Sequence, residues 1–259
     1  MADALQLHVE PTLHEPVLLL AFDGWNDAGD AATTAARFVE EALPSAPLAE
    51  IDPEEYYDFT VRRPIVSRGD DEERHIAWPS YRFSYASLPD RCDLIVGLGG
   101  EPHLRWRGFC DEVMELVLEM RVARVVLLGA YLADVLYSRP VRISGSSSPG
   151  SLAEGLGLEG TGYEGPTGIV GVLASRLREH GIPVLSLWAA LPHYITLTPN
   201  PRGALALLQV LVRHLDLPLD QTPLVDAAAE FELQISQQVA ADPALAEYVR
   251  ELKKREFAQ

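Results

Sequence analysis

Along this chain, unbroken apolar runs of strand length alternate with stripes of helical spacing. PVLLLAF, residues 16–22, is the first such run, and from Ala31 to Leu43 the apolar positions Ala32, Ala35, Ala36, Val39 and Leu43 share one helical face until Pro44 stops it. The unit recurs. CDLIVGLGGEPHLRWRGFCDEVMELVLEMRV predicts an apolar strand around Leu94 to Val96, a glycine-rich loop and an amphipathic helix from about Trp106 to Met120. ARVVLLGAYLAD repeats strand and loop, and GYEGPTGIVGVLASRLREHG predicts a helix starting near Pro166 or Thr167 and stopped by Gly181. IPVLSLWAALPHYI is a further strand, and PNPRGALALLQVLVRHLDL a helix behind two prolines. Strands alternating with helices predict an α/β protein with a three-layer α/β/α core, a mostly parallel sheet and right-handed crossovers.

Other stretches break this rhythm. Residues 1–15 lack periodicity and predict an N-terminal arm or an edge segment. From Ala49 to Ser87, IDPEEYYDFTVRRPIV and RHIAWPSYRFSYA alternate aromatic and polar residues around RGDDEE, the pattern of edge strands or a hairpin. The Ser- and Gly-rich segment from Tyr137 to Gly160 predicts a long surface excursion. The core domain, residues 1–217, gives way to a C-terminal helical extension, 218–259. There Leu224, Ala228, Phe231, Ile235 and Val239 form one stripe. Asp242 and Pro243 then supply the N-cap and first residue of a second helix carrying Leu245, Val249 and Leu252, which completes a helical hairpin.

Composition narrows the class of function. A chain of 259 residues that is 47% apolar and 23% charged is an ordinary globular protein. No apolar run reaches about 18 residues, and MADALQLHVE has neither the basic flank nor the apolar stretch of a secretory signal, which points to the cytoplasm and away from membranes. A net charge of -17 disfavours nucleic acid and anionic lipid as partners. Cys92 and Cys110 lack a CxxC pattern and predict plain thiols, with neither a disulfide nor a zinc site.

Candidate chemistry sits in the strand-to-helix loops, where α/β sheets usually bind ligands. FDGWNDAGDAA holds Asp23, Asn26, Asp27 and Asp30 in the position of an anion cradle, and Asp27 or Asp30 can itself be the anion that caps the helix. A metal site built on Asp23, Asn26 and Asp27 lacks the glycine and distal glutamate of a calcium loop, so no metal is expected. GLGGEPHLRW departs from the GxGxxG fingerprint, so no nucleotide cofactor follows; its Glu101 and His103 are either an acid and base pair or structural residues. SGSSSPGS has no GxSxG elbow. No catalytic residue is assigned. The candidate ligand-binding cleft comprises Asn26, Asp27, Gly100, Glu101, Thr167 and His193, polar groups that would suit a small polar molecule.

FDGWNDAGDAA, IDPEEYYDF, GLGGEPHLRW, GYEGPTGIVGVL and SLWAALPHYITLTPNP, taken in order from about residue 16 to 215, resemble the bacterial branch of the proteasome assembly chaperone 2 family. The resemblance implies a phosphorylase/hydrolase-like core akin to purine nucleoside phosphorylases, and self-association with a trimer favoured. It also implies action through protein partners without catalysis or cofactor. Chaperones of this family dock through a C-terminal hydrophobic residue, a Tyr and one further residue; this chain ends REFAQ, with Ala258 in place of the Tyr. The competing expectation is a small-molecule binder or enzyme that uses the strand-end cleft.

Overall fold

A computed structural model describes residues 4–68, 73–148, 158 and 163–257. Most of the RGDDEE turn, the Ser- and Gly-rich stretch beyond Ser148 except Leu158, and Ala258 lie outside the described residues.

The chain runs β1 (Leu5–Leu7), β2 (Val17–Asp23), α1 (Ala31–Ala42), β3 (Ala46–Ile51), β4 (Ile65–Arg68), β5 (Arg74–Ala77), β6 (Tyr81–Ala86), β7 (Leu94–Gly100) and α2 (Trp106–Glu119). It continues through β8 (Arg124–Ala133), β9 (Ile143–Ser147), α3 (Ile169–Glu179), β10 (Val184–Pro192), α4 (Pro201–Leu215), α5 (Thr222–Ala241) and α6 (Pro243–Phe257). Eight strands form one sheet in the order β1-β3-β6-β7-β2-β8-β10-β9, and β4 with β5 makes a separate hairpin. β7, β2, β8 and β10 are parallel neighbours at its centre, and β3 runs the same way; β1, β6 and β9 run antiparallel.

The central strands are unbroken apolar runs because both faces of the sheet are covered. Along β2, Leu18, Leu20 and Phe22 enter the core beneath α2 and α3, while Val17, Leu19 and Ala21 enter the core beneath α1 and α4. These are the three layers. α5 packs on α4 and adds Leu224 to that second core. Farther along, Phe231, Ile235 and Val239 of α5 close with Val249 and Leu252 of α6 over Leu136 and Ile195, a third and smaller cluster. Asp242 caps α6, its Oδ1 accepting from the amides of Ala244 at 2.9 Å and Leu245 at 3.1 Å.

Two features depart from the sequence reading. The segment predicted as a surface excursion from Tyr137 contains β9, an edge strand antiparallel to β10. An edge strand is held by backbone hydrogen bonds and can dispense with apolar alternation, and at Gly145 a side chain would stand 2.6 Å from the Ser186 carbonyl. β3 begins at Ala46, upstream of the predicted alternation at Ala49, with Pro47 placed beside a bulge in the ladder. The residue 5–7 stretch of the N-terminal segment is likewise an edge strand, paired with β3.

Ile235 is 1% exposed at the centre of the small cluster. Ile235→Ala should destabilise the chain by about 2–5 kcal/mol in urea unfolding. A change under about 0.5 kcal/mol, the size expected of a surface site, would mean the cluster does not hold the hairpin down.

Candidate functional site

β2, β7, β8 and β10 are parallel, so their carboxyl ends and following loops lie along one side of the sheet. After Asp23 the chain turns through Gly24, at a φ of 116° that favours glycine, and crosses onto β8, where the amide of Ala130 donates to the Asn26 carbonyl at 2.8 Å. That crossing buries Asn26 and Asp27.

All three aspartates of the loop are engaged within the protein. Asp23 holds Arg62 bidentately, at 2.5 and 2.7 Å. Asp27 caps α1: Oδ1 accepts from the Ala32 amide at 2.6 Å, and Oδ2 from the Thr33 amide at 3.2 Å and the Thr33 hydroxyl at 2.5 Å. Asp30, left-handed at φ 52°, accepts from the Thr198 hydroxyl. The amides that an anion would use are therefore occupied by the chain's own carboxylate.

Glu101 repeats this arrangement one strand over. Its Oε1 accepts from the Ile169 amide at 2.7 Å, which caps α3, and from Asn26 Nδ2 at 2.8 Å. Asn26 is 1% exposed, and its Oδ1 has no hydrogen-bond partner among the described residues. Gly168, the N-cap of α3, lies so close that a Cβ there would stand 2.3 Å from this oxygen. Thr167 precedes it on the surface, exposed. Gly100 is buried and accepts from the Tyr57 hydroxyl at 2.7 Å, and its missing side chain leaves room for Arg62, whose Nη1 would be 2.2 Å from a Cβ.

Five of the predicted residues thus converge: Asn26, Asp27, Gly100, Glu101 and Thr167. His193 is elsewhere. It ends β10, three strand spacings of about 4.8 Å from β7. There it meets Asp134 at 3.1 Å and the Tyr248 hydroxyl of α6 at 3.3 Å, an anchor for the C-terminal helices. Glu101 and His103 do not pair either, since the His103 ring accepts from the Asp58 amide at 3.0 Å. Asn26 and Glu101 turn onto each other, and Glu101 onto α3, so both shape the loop.

The sequence reading missed the residues around them. Tyr56 and Tyr57 of IDPEEYYDF are buried anchors, Tyr56 donating to Glu112 at 2.9 Å. Burial pushes both hydroxyls well above the phenol range, so they stay donors. Arg62 and Arg63, from the following TVRRPIV, border a cleft of about 370 Å³ with Arg37, Arg82, Ile65 and Trp78. Two adjacent arginines in an alternating segment of an acidic chain were the available signal.

The PAC2 family model matches residues 21–239. The chain belongs to the PAC2 family. Among solved structures, it is similar to a Mycobacterium tuberculosis proteasome-assembly chaperone homologue, 43% identical, with 90% of this chain and 99% of that one covered and a TM-score of 0.80. A PAC2 family protein from Streptomyces avermitilis is 42% identical over 90% of this chain and 99% of its own, with a TM-score of 0.82. PbaB of Pyrococcus furiosus, an archaeal proteasome activator, shares the fold at 20% identity and a TM-score of 0.71, with 91% of this chain and 98% of that one covered. The comparison with curated proteins returns no match. The PAC2 chain also has no helix among the described residues that is long and apolar enough to cross a membrane.

Two expectations follow from the loop geometry of this PAC2 protein. Gly168→Ala would force Asn26 off Glu101 in a buried setting, and it should destabilise by about 1–3 kcal/mol, measured by urea unfolding. Wild-type stability in that variant would show that the loop accommodates a Cβ freely. Asp27 is pushed up from 3.8 to about 6 by burial, against the lowering effect of its hydrogen bonds from Thr33 and Ala32. The folded state therefore holds a proton that the unfolded chain releases near pH 3.8. This group's contribution to stability is fully present below that pH and is lost as pH rises through about 6, a change of about 3 kcal/mol. Asp27→Asn, which keeps an acceptor for α1, should flatten the stability profile between those two values; an unchanged profile would assign the slope to other groups.

Proposed function

We propose that this chain is a self-associating, chaperone-like protein of the cytoplasm that acts through protein contacts and catalyses no reaction of its own. The observation that carries this reading is the 43% identity to a proteasome-assembly chaperone homologue, which extends over 90% of this chain and 99% of that one. The strand-end loops agree with it. Among the described residues, Asp27 and Glu101 are committed to helix starts and Asp23 to Arg62.

Self-association is supported by the β4–β5 hairpin, and the trimer is the number that the family resemblance implies. Strand alternation puts Val66 opposite Ile76 on one face and Ile65 opposite Ala77 on the other. Val66 and Ile76 are 57% and 56% exposed, and Arg68 pairs with Arg74 farther along the same strands on that face. Exposed β-branched residues beside arginines, on a chain of net charge -17, match an acidic surface, which a second copy supplies.

Size-exclusion chromatography with light scattering should give a mass three times the 28.4 kDa of the single chain. Val66→Asp with Ile76→Asp should lower it to that of the monomer. A monomeric wild type at micromolar concentration would refute self-association, and an unaffected double variant would move the interface off the hairpin.

A further inference from the structure

We propose that the cleft between α1, β6 and the β4–β5 hairpin binds a small organic anion, a molecule with a phosphate or carboxylate group and an apolar body. The cleft encloses about 370 Å³, within the range of small-molecule sites, roughly 300–1,000 Å³. Four arginines line it: Arg37 from α1, Arg62 and Arg63 from the loop before β4, and Arg82 from β6. Asp23 is the one acid among the described residues of its lining, and both Asp23 oxygens are already taken by Arg62.

Arg37, Arg63 and Arg82 form no ion pair among the described residues. Glu50 stands opposite Arg82 in the β3–β6 register and does not bridge to it. The chain as a whole has 38 acidic residues against 21 basic ones, so this cleft reverses the sign of its surroundings. Guanidinium groups converging from three parts of the chain differ from a solvated helix face, where like charges splay apart. Their planar donor forks match the oxygens of carboxylates and phosphates.

Arg62 is held in place at the edge of the cleft. Gly100 lacks the Cβ that would collide with Arg62 Nη1, and the Asp23 pair fixes the Arg62 guanidinium at the strand ends. The lining also has an apolar part. Trp78 is 52% exposed, set by an edge contact with Phe59 at a centroid distance of 4.9 Å, and Ile65 lies on the same side. A ligand with acidic oxygens on the arginines can lay an aromatic or aliphatic part over this indole.

Isothermal titration calorimetry with AMP, pyrophosphate and citrate, at ionic strength matched by sodium chloride, tests the site on the full chain. AMP and pyrophosphate report a phosphate ligand, and citrate a carboxylate one. The expected result is saturable binding of at least one probe, weakened about tenfold or more in Arg63→Ala with Arg82→Ala. Both arginines are exposed, so this variant should melt as the wild type does without probe. Absence of saturable binding by all three probes, or equal binding by the double variant, would overturn the proposal. Calorimetry reads the ligand and light scattering the assembly, so the two readings stand or fall separately.

Discussion

Helices that begin where parallel strands end bring free amide donors to the side of the sheet that α/β proteins use for ligands, and those donors must be satisfied. In this PAC2 protein side chains satisfy them at α1, α3 and α4, whereas α2 starts at Arg105 without a side-chain cap. Asp27 caps α1, Glu101 reaches across from β7 to cap α3, and Asn200 accepts from the Gly203 amide at 3.0 Å to cap α4. The rest of the strand-end architecture follows from these contacts. Asp27 must be buried to reach α1, which forces the preceding loop across β8. Glu101 must face α3, which aligns it with Asn26.

The consequence is a displacement of the place where an anion could be held. A phosphate on the backbone of the first loop would compete with Asp27 and meet Asp23 and Asp30 close by. Positive charge is concentrated instead in the cleft beside it, where Arg62 leans on Asp23 and Arg37, Arg63 and Arg82 are not bridged among the described residues. A parallel sheet with helices starting at its strand ends therefore does not by itself carry an anion cradle. The chemistry follows the side chains.

What could be read from sequence tracks how local each interaction is. α1 and α2 were legible to within one residue at their ends, from stripe and stop signals confined to a dozen positions. The cap of α1 was legible as Asp27 or Asp30, and the structure gives it to Asp27, whose donors lie five and six residues away. Glu101 capping a helix 68 residues away was not, and neither was Arg62 pairing with Asp23 across 39 residues. Both depend on which strands become neighbours, and periodicity does not report strand order. His193 was grouped with the loops because it also ends a strand; strand order places it beside Tyr248 of α6, at the other side of the parallel core. β9 escaped because an edge strand made of Ile, Ser and Gly leaves no apolar signature.

The hairpin joins the two proposed surfaces mechanically. A two-stranded ribbon is marginal in isolation, and every residue of β4 and β5 is exposed, so little of the core holds it in place. Its alternation sends Ile65 and Ala77 toward the arginine cleft and Val66 and Ile76 away from it. A subunit on the outer face and an anion on the inner one would draw on the same free energy of ordering the ribbon. Whichever bound first would leave less of that cost to the second, and the coupling would be equal in both directions, since linkage between two binding equilibria is reciprocal.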